Sequence, residues 1–266
     1  MFYVFGVITA VISIVLSVLH LKQDLGNYYD FVGMIVVLGG TLSVMIMIFP
    51  WQMKKEIKTA FGVLFVGKRV DLGLFNQACF GFIQSSGGGG TAKVNRDQDV
   101  FAESILADGA ELLQLGFSKS KIERILEERI FQWNDRMARV SGAIRSLAKY
   151  PPAFGLVGTV LGLVSLMRAI SQGTNSSEAG LRMAVALVAT LYGLLTANLF
   201  LNPAGERVAV HTAEEKKAAE IAMQAVLLAV DSVSLLEAQE VLNSYVRPDQ
   251  RVDVFGDART ATEGAA

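Results

Sequence analysis

Apolar residues are concentrated in four long stretches of this chain. These stretches are residues 2–21, 31–51, 152–170 and 183–201. A helix needs about 20 residues to cross the hydrocarbon core of a bilayer, and each stretch is close to that length. None of them contains Asp or Glu, and the single Lys or Arg within them is Arg168, near an end where its side chain can reach the interface. The pattern predicts four transmembrane helices. The first is predicted to be retained, because it lacks the basic start and small-residue cleavage site of a signal peptide.

Outside these stretches the pattern is that of amphipathic helices. Apolar residues recur at helical spacing between residues 100 and 147 and again between 204 and 245, with charged residues on the opposite face. The polar end from residue 247 is predicted to be disordered. The predicted fold is an all-α integral membrane protein with four transmembrane helices, a cytoplasmic helical domain between spans two and three, and a C-terminal cytoplasmic helix. The predicted boundaries are 1–51 for spans one and two, 52–150 for the cytoplasmic domain, 151–203 for spans three and four, 204–246 for the C-terminal helix and 247–266 for the tail.

The distribution of charge orients the predicted spans. Of the 24 Lys and Arg residues in the chain, 15 lie in residues 52–150. Lys54, Lys55 and Lys58 follow span two closely, where basic residues favour the cytoplasmic side. Both termini and the middle segment are therefore predicted to be cytoplasmic, and the two short connections to face outward.

Composition narrows the classes of function. The chain is 52% hydrophobic and 18% charged, with a net charge of −1 that gives no basis for binding nucleic acid. The single cysteine, Cys79, excludes an intramolecular disulfide framework and a multi-cysteine metal site. The two histidines, His20 and His211, are far apart in sequence and predicted near opposite sides of the membrane. We therefore predict that the protein is not an enzyme and holds neither a metal nor a cofactor.

Small residues in spans three and four predict close helix packing. Gly155, Gly158 and Gly162 fall on nearly one face of span three, where such a ridge lets helix backbones approach each other in lipid. Gly193 in span four is assigned to the same contact.

Hydroxyl groups lie at membrane depth in the same two spans. These are the hydroxyl groups of Thr159, Thr190 and Tyr192. Such hydroxyls commonly bond the preceding turn of their own helix, which carries no function, or they could line a hydrated path for an ion. An ion path in a low dielectric normally includes an acidic group, and the four spans contain none. If this protein moves ions, a carboxylate must therefore come from another polypeptide.

Residues 150–163 and 183–203 resemble the MotA/PomA family, the A-subunits of the bacterial flagellar stator, which are distantly related to TolQ and ExbB. The resemblance implies a homo-pentamer in the lipid bilayer of the bacterial inner membrane. The pentamer would surround a dimer of single-span MotB/PomB-like B-subunits that supply the ion-binding aspartate. Passage of H⁺ or Na⁺ would turn the ring against the rotor switch protein FliG and so serve motility and chemotaxis.

The resemblance also assigns roles to individual residues. Pro152 and Pro203 match the prolines that couple ion flow to cytoplasmic movement. Thr190 matches the threonine that faces the B-subunit aspartate. Thr159 matches a position that tends to be Thr in sodium-driven members and Ala in proton-driven ones, and the ion is left open.

One family feature is absent or displaced. Residues 70–92 and 97–118 contain no Lys or Arg, although the family usually presents a basic residue to the rotor on an early cytoplasmic helix. The candidates for the rotor contact are instead Lys121, Arg124, Glu127, Glu128 and Arg129.

Two alternatives to a stator subunit remain. The first is a TolQ/ExbB-like energiser of another envelope system, although those relatives usually have fewer spans. The second is a self-contained channel or transporter, which the absence of acidic residues from the spans disfavours.

Overall fold

The computed structural model describes residues 2–49, 60, 62, 70–86, 100–173 and 175–253 of the 266-residue chain. All regular secondary structure in these residues is helical, which confirms the predicted all-α fold. In chain order the α-helices are α1 (Phe2–His20), α2 (Phe31–Met34), α3 (Gly40–Ile48), α4 (Leu72–Ser86), α5 (Phe101–Gln114), α6 (Lys119–Leu147), α7 (Tyr150–Ser171), α8 (Ser176–Leu195), α9 (Asn202–Asp231) and α10 (Leu235–Asn243).

The chain divides into two compact units. We call Met1–Gly67 together with Met137–Val210 the membrane unit, and Lys68–Arg136 together with His211–Ala266 the extramembrane unit. The predicted tail residues 254–266 lie outside the described residues.

Within the residues that the structure describes, four helical segments are long and apolar enough to cross a membrane, as predicted. They lie within Tyr3–His20, Leu25–Ile48, Lys119–Ser171 and Ser177–Asp231. Large apolar side chains of α7 point away from the protein, including Leu161, Val164 and Met167, which are 55%, 63% and 57% exposed. Such a surface is stable in lipid and unfavourable in water, so it supports the assignment of these helices to the bilayer.

Two spans contain a π-helical segment. Ile35–Gly39 joins α2 to α3, and Thr196–Leu201 joins α8 to α9. Just after the second segment, the Asn202 N–H bonds the carbonyl five residues back, on Ala197. Pro203 follows and has no N–H to continue an α-helical ladder, so the wider π turn stands where the helix passes from the apolar span to the polar α9.

The break between α6 and α7 is set by a proline pair. Pro151 and Pro152 lie in the first turn of α7, after the turn at Ala148 and Lys149. The first N–H groups of a helix have no partner within it, so the prolines leave no intrahelical bond unmade there. They mark the start of the membrane helix rather than a kink inside one.

Helices α7 and α8 pack against each other at small residues. A Cβ on Gly155 would lie 2.9 Å from the Ala189 carbonyl oxygen, and one on Gly158 would lie 2.6 Å from the Ala189 Cβ. A Cβ on Gly162 would lie 2.9 Å from the Ala186 Cα. The structure therefore places all three glycines of the predicted ridge where the two backbones approach most closely.

The extramembrane unit has its own hydrophobic core. Residues of α4, α5, α6, α9 and α10 contribute to it, and the lone Cys79 is buried within it. The apolar positions that predicted amphipathic helices face inward, among them Ile105, Ile122, Leu126, Ile221 and Val226.

Part of the predicted C-terminal tail is docked onto this unit. The Asn243 carboxamide donates to the Val252 carbonyl oxygen at 2.7 Å and accepts from the Val252 N–H at 2.9 Å. The same oxygen accepts from Asn76 Nδ2 on α4 at 3.2 Å. A 3-10 helix, Pro248–Gln250, precedes the docked residue. The structure thus differs from the predicted boundary at 247, because one buried amide satisfies both backbone groups of Val252 and orders the polar segment before it.

Candidate functional site

Thr159 on α7 and Thr190 on α8 place two hydroxyl groups at the contact between these helices. Their Oγ1 atoms lie 2.5 Å apart. Thr159 Oγ1 also lies 3.2 Å from the Gly155 carbonyl oxygen and 3.0 Å from that of Ala186. Thr190 Oγ1 lies 3.3 Å from the same Gly155 oxygen. Four oxygen atoms from two helices are therefore gathered in one place.

The two hydroxyl groups have more possible hydrogen-bond acceptors nearby than they have hydrogens to donate. Each hydroxyl carries one hydrogen, so if Thr190 donates to Thr159, Thr159 can donate to either Ala186 or Gly155 but not to both. Lone pairs remain on both hydroxyl oxygens, and both side chains are half-buried. Neutral hydroxyl and carbonyl oxygens of this kind can accept a bond from water or hydronium, or replace part of the hydration shell of a cation. These four oxygen atoms carry no negative charge, so an ion path built on them would need an acidic group from elsewhere.

Tyr192, the third hydroxyl of the predicted ion path, is engaged elsewhere. Its Oη atom donates to the Tyr28 carbonyl oxygen at 2.5 Å and accepts from the Asp30 N–H at 3.0 Å. Both partners belong to the connection between α1 and α2. The structure brings Thr159 and Thr190 together and gives Tyr192 a separate set of contacts.

Pro152, the predicted coupling proline at the start of α7, lies close to Gly193 of α8. A Cβ on Gly193 would overlap the Pro151 carbonyl oxygen and would lie 3.0 Å from the Pro152 Cα, so a glycine is required for this approach. Gly193 is three residues after Thr190, which places both contacts within about one helical turn. Pro203 lies just after the π segment that follows α8, as the second residue of the polar helix α9.

All five predicted rotor-contact residues lie on the exposed side of α6. Lys121, Arg124, Glu127, Glu128 and Arg129 are exposed in the extramembrane unit. Two of them have partners within the unit: Arg129 Nη1 pairs with Asp108 Oδ2 at 2.5 Å, and Glu128 accepts from Gln132 Nε2 at 2.7 Å. Arg129 is thus partly neutralised by α5.

Two acidic residues outside the predicted site have defined roles in the structure. Asp30 is buried, and its carboxylate caps α2 by accepting from the Val32 N–H at 3.0 Å and the Gly33 N–H at 2.9 Å. An Asp immediately before an apolar run is a signal for such a cap and could have predicted it. Glu215 on α9 is 2% exposed and accepts from the Ala102 N–H at 3.3 Å, at the start of α5. Among the Asp, Glu, His and Cys residues that the structure describes, no cluster suited to holding a metal ion occurs.

The chain is similar to motility proteins of several bacteria. Residues 97–221 match the MotA/TolQ/ExbB proton channel family. Motility protein A of Bacillus subtilis is 22% identical over 260 residues, covering 97% of this chain and 95% of that protein. Chemotaxis protein PomA of Vibrio alginolyticus is 22% identical over 239 residues, covering 90% and 92%.

A solved structure of C. jejuni MotAB has the same fold. It superposes with a TM-score of 0.85 at 17% identity, covering 95% of this chain and 98% of that one. The aligned residues cover nearly the whole chain and so include residues of both units. The chain therefore resembles the MotA/TolQ/ExbB proton channel family over residues 97–221, and it is similar to motility protein A and PomA over most of its length.

Proposed function

We propose that this chain is the ring-forming A-subunit of an ion-driven flagellar stator. The observation that carries the proposal is the uncharged Thr159–Thr190 hydroxyl pair at the contact of two membrane helices, in a chain that aligns with motility protein A over nearly its whole length. The named relatives, motility protein A and PomA, favour a stator subunit over a TolQ/ExbB-like energiser. The output is torque, driven by ion flow down the membrane gradient, and no covalent catalysis is involved.

The site needs a partner to work as an ion path. A B-subunit dimer, each chain with one span and one membrane aspartate, supplies the negative charge that the four spans of this chain lack. The C. jejuni relative was solved as a MotAB complex, which supports this pairing. We propose a homo-pentamer around that dimer, in the inner membrane with both termini in the cytoplasm, and H⁺ or Na⁺ as the transported ion rather than any resident cofactor.

Torque reaches the rotor through the extramembrane unit. The exposed charges of α6, chiefly Lys121, Arg124, Glu127 and Glu128, are the proposed contact with FliG, because Arg129 is already paired with Asp108. Pro152 and Pro203 are the proposed coupling positions, since each lies where an apolar helix meets a polar one.

Substitution at Thr190 tests the proposed ion path. Cells that lack their own stator are supplied with this chain and its B-subunit, and rotation of tethered cells is recorded at several Na⁺ concentrations and at several external pH values. Thr190→Val removes the hydroxyl and keeps the shape, and we expect rotation speed to fall by more than half. Thr190→Ser retains the oxygen and should rotate near the wild-type speed. Equal speeds for the wild type and Thr190→Val, at equal levels of assembled complex, would contradict the role of the hydroxyl.

The same cells separate the stator from the alternative energiser. Wild-type protein that restores swimming is a stator subunit. Protein that restores no swimming, but relieves a defect in outer-membrane uptake or envelope integrity, acts as a TolQ/ExbB-like energiser instead.

A further inference from the structure

Tyr192 joins α8 to the connection before α2 through a single hydroxyl group. The Asp30 N–H can only donate and the Tyr28 carbonyl can only accept, so the direction of both hydrogen bonds is fixed. The one hydrogen of the phenol is used for Tyr28, and one lone pair is used for Asp30. Because more than 160 residues separate the partners in sequence, these bonds hold two elements together rather than stabilising one locally.

The tethered residue is also the one that starts α2. While the Asp30 backbone is held by Tyr192, the buried Asp30 carboxylate accepts from the N–H groups of Val32 and Gly33. Asp30 therefore connects the Tyr192 hydroxyl, through its backbone N–H, to the first turn of α2, through its carboxylate, without a flexible link. Loss of the hydroxyl leaves a part-buried N–H group without its acceptor, which is costly in a membrane environment.

That first turn lies against the residue before Thr190. A Cβ on Gly33 would lie 3.0 Å from the Ala189 Cβ and 3.2 Å from the Ala189 Cα, so α2 and α8 touch at van der Waals distance there. The same Ala189 Cβ also meets the Gly158 position of α7, and the Ala189 carbonyl oxygen meets the Gly155 position. Ala189 thus touches both helices, and its neighbour Thr190 is placed by both.

We propose that Tyr192 is a positioning residue, whose hydroxyl holds the first turn of α2 against Ala189 and thereby fixes the Thr159–Thr190 hydroxyl pair in place. This role rests on the proposed function of the pair as an ion path. It differs from contact between Tyr192 and the ion, because the Tyr192 hydroxyl acts through α2 and its hydrogen is already committed to a backbone carbonyl.

The chain offers a matched control for removing the hydroxyl. Tyr3 Oη donates to the Phe200 carbonyl oxygen at 3.0 Å, which is also a phenol-to-backbone bond within the membrane unit. Tyr192→Phe and Tyr3→Phe delete the same atom, but only the first deletion affects the start of α2.

Cross-linking measures the position of the hydroxyl pair without any need for rotation. Thr159→Cys and Thr190→Cys are combined with Cys79→Ala in the full chain, assembled with its B-subunit in membranes, and oxidised with iodine. We expect the disulfide to form at least fivefold more slowly when Tyr192→Phe is added, and at an unchanged rate when Tyr3→Phe is added. An unchanged rate with Tyr192→Phe overturns the proposal, as does an equal slowing by Tyr3→Phe.

Hydrogen exchange and rotation complete the test in protein that carries Cys79→Ala and keeps both Thr159 and Thr190. Exchange of amides in residues 28–33 should be at least tenfold faster in Tyr192→Phe than in Tyr3→Phe, and rotation should slow by more than half in Tyr192→Phe alone. Faster exchange with wild-type rotation overturns the positioning role in ion flow. Failure of the wild-type protein to rotate cells contradicts the proposed stator function, whereas the cross-linking and exchange results still decide whether Tyr192 positions the pair.

Discussion

Replacing Glu215 by Gln should make the start of α5 more stable at alkaline pH. The Glu215 carboxylate is buried and caps α5 through the backbone N–H groups of Phe101 and Ala102. Val100, the residue at the N-cap position, provides no side-chain bond. Burial is the main cause that raises the pKa of Glu215 to about 7, and the charge of Glu103 on α5 raises it further. The charge of Glu214, beside it on α9, acts in the same direction.

The direction of the pH effect follows from proton binding. The pKa of Glu215 is about 7 in the folded protein against 4.5 for an ordinary Glu, so between these values the folded state binds more protons than the unfolded one. Stability is therefore complete at low pH and decreases as pH rises through about 7. A difference of this size corresponds to about 3 kcal/mol at most. Gln cannot ionise and its amide oxygen can still accept from the α5 N–H groups, so Glu215→Gln should recover most of that loss above pH 8 and change little at pH 5.

Trp133 provides a local assay. Its ring stacks on Phe101, the first residue of α5, with centroids 4.3 Å apart. In a Trp51→Phe background, Trp133 is the single tryptophan, and its emission can be followed during urea titration of the full chain at pH 5 and pH 8.5. The wild-type midpoint should be clearly lower at pH 8.5, and the Glu215→Gln midpoints should nearly coincide.

A second variant checks the electrostatic cause. Glu103→Gln removes one of the neighbouring charges that disfavour ionisation of Glu215, so the pH midpoint of the wild-type transition should move to lower pH while the transition itself remains. A Glu215→Gln protein that is less stable than wild type at pH 8.5 would refute the reasoning, since it would show that the ionised carboxylate stabilises the cap more than its burial costs.

Two further substitutions test packing. Gly193→Ala should lower the stability of the membrane unit by about 1–3 kcal/mol, because its Cβ would overlap the backbone at the start of α7. Gly142, inside α6, has open space around its Cβ, so Gly142→Ala should raise stability by up to about 1 kcal/mol through helix propensity. Thermal unfolding of the detergent-solubilised protein measures both changes. Asn243→Ala should release Val252, because it removes both bonds that hold it, each with a cost of about 1–3 kcal/mol when a buried group is left unpaired. Trypsin should then cut after Arg251 several-fold faster than in the wild type, and an unchanged cleavage rate would contradict the docking.

Much of the fold could be predicted because it depends on local patterns. Apolar runs of membrane length predict spans wherever they occur, and helical spacing of Ile122, Leu126 and Ile130 predicts the buried face of α6. The glycine ridge of α7 could be predicted for the same reason, since small residues at the spacing of a helix face have few other uses in lipid.

Contacts between distant parts of the chain could not be predicted in this way. No local pattern connects Tyr192 to the backbone of Tyr28, so the sequence groups its hydroxyl with those of the threonines at similar depth. The docking of Val252 depends on Asn243 and on the end of a polar segment that resembles a disordered tail. Hydrogen bonds of this kind depend on tertiary structure. The polar composition of the segment before Val252 predicts disorder and gives no sign of them.

Glu215 is an intermediate case, because residue type and helical spacing predict different environments for its side chain. It lies in the run Glu214-Glu215-Lys216-Lys217, which is typical of an exposed helix. Yet Glu215 continues the buried stripe of Ala218, Ala219 and Ala222 at spacings of three, four and seven residues. Helical spacing predicts this carboxylate in the core, as observed, whereas residue type alone predicts it in water.

Several close contacts of the membrane unit fall on little more than one turn of α8. Ala189 touches both α2 and α7, Thr190 meets Thr159, Tyr192 holds the connection to α2, and Gly193 touches Pro152. Since each of these approaches depends on a small residue or on one hydroxyl, a shift of this turn changes all of them together. The hydroxyl pair proposed as the ion path and the proposed coupling position Pro152 therefore contact the same turn of α8, so no long pathway separates them.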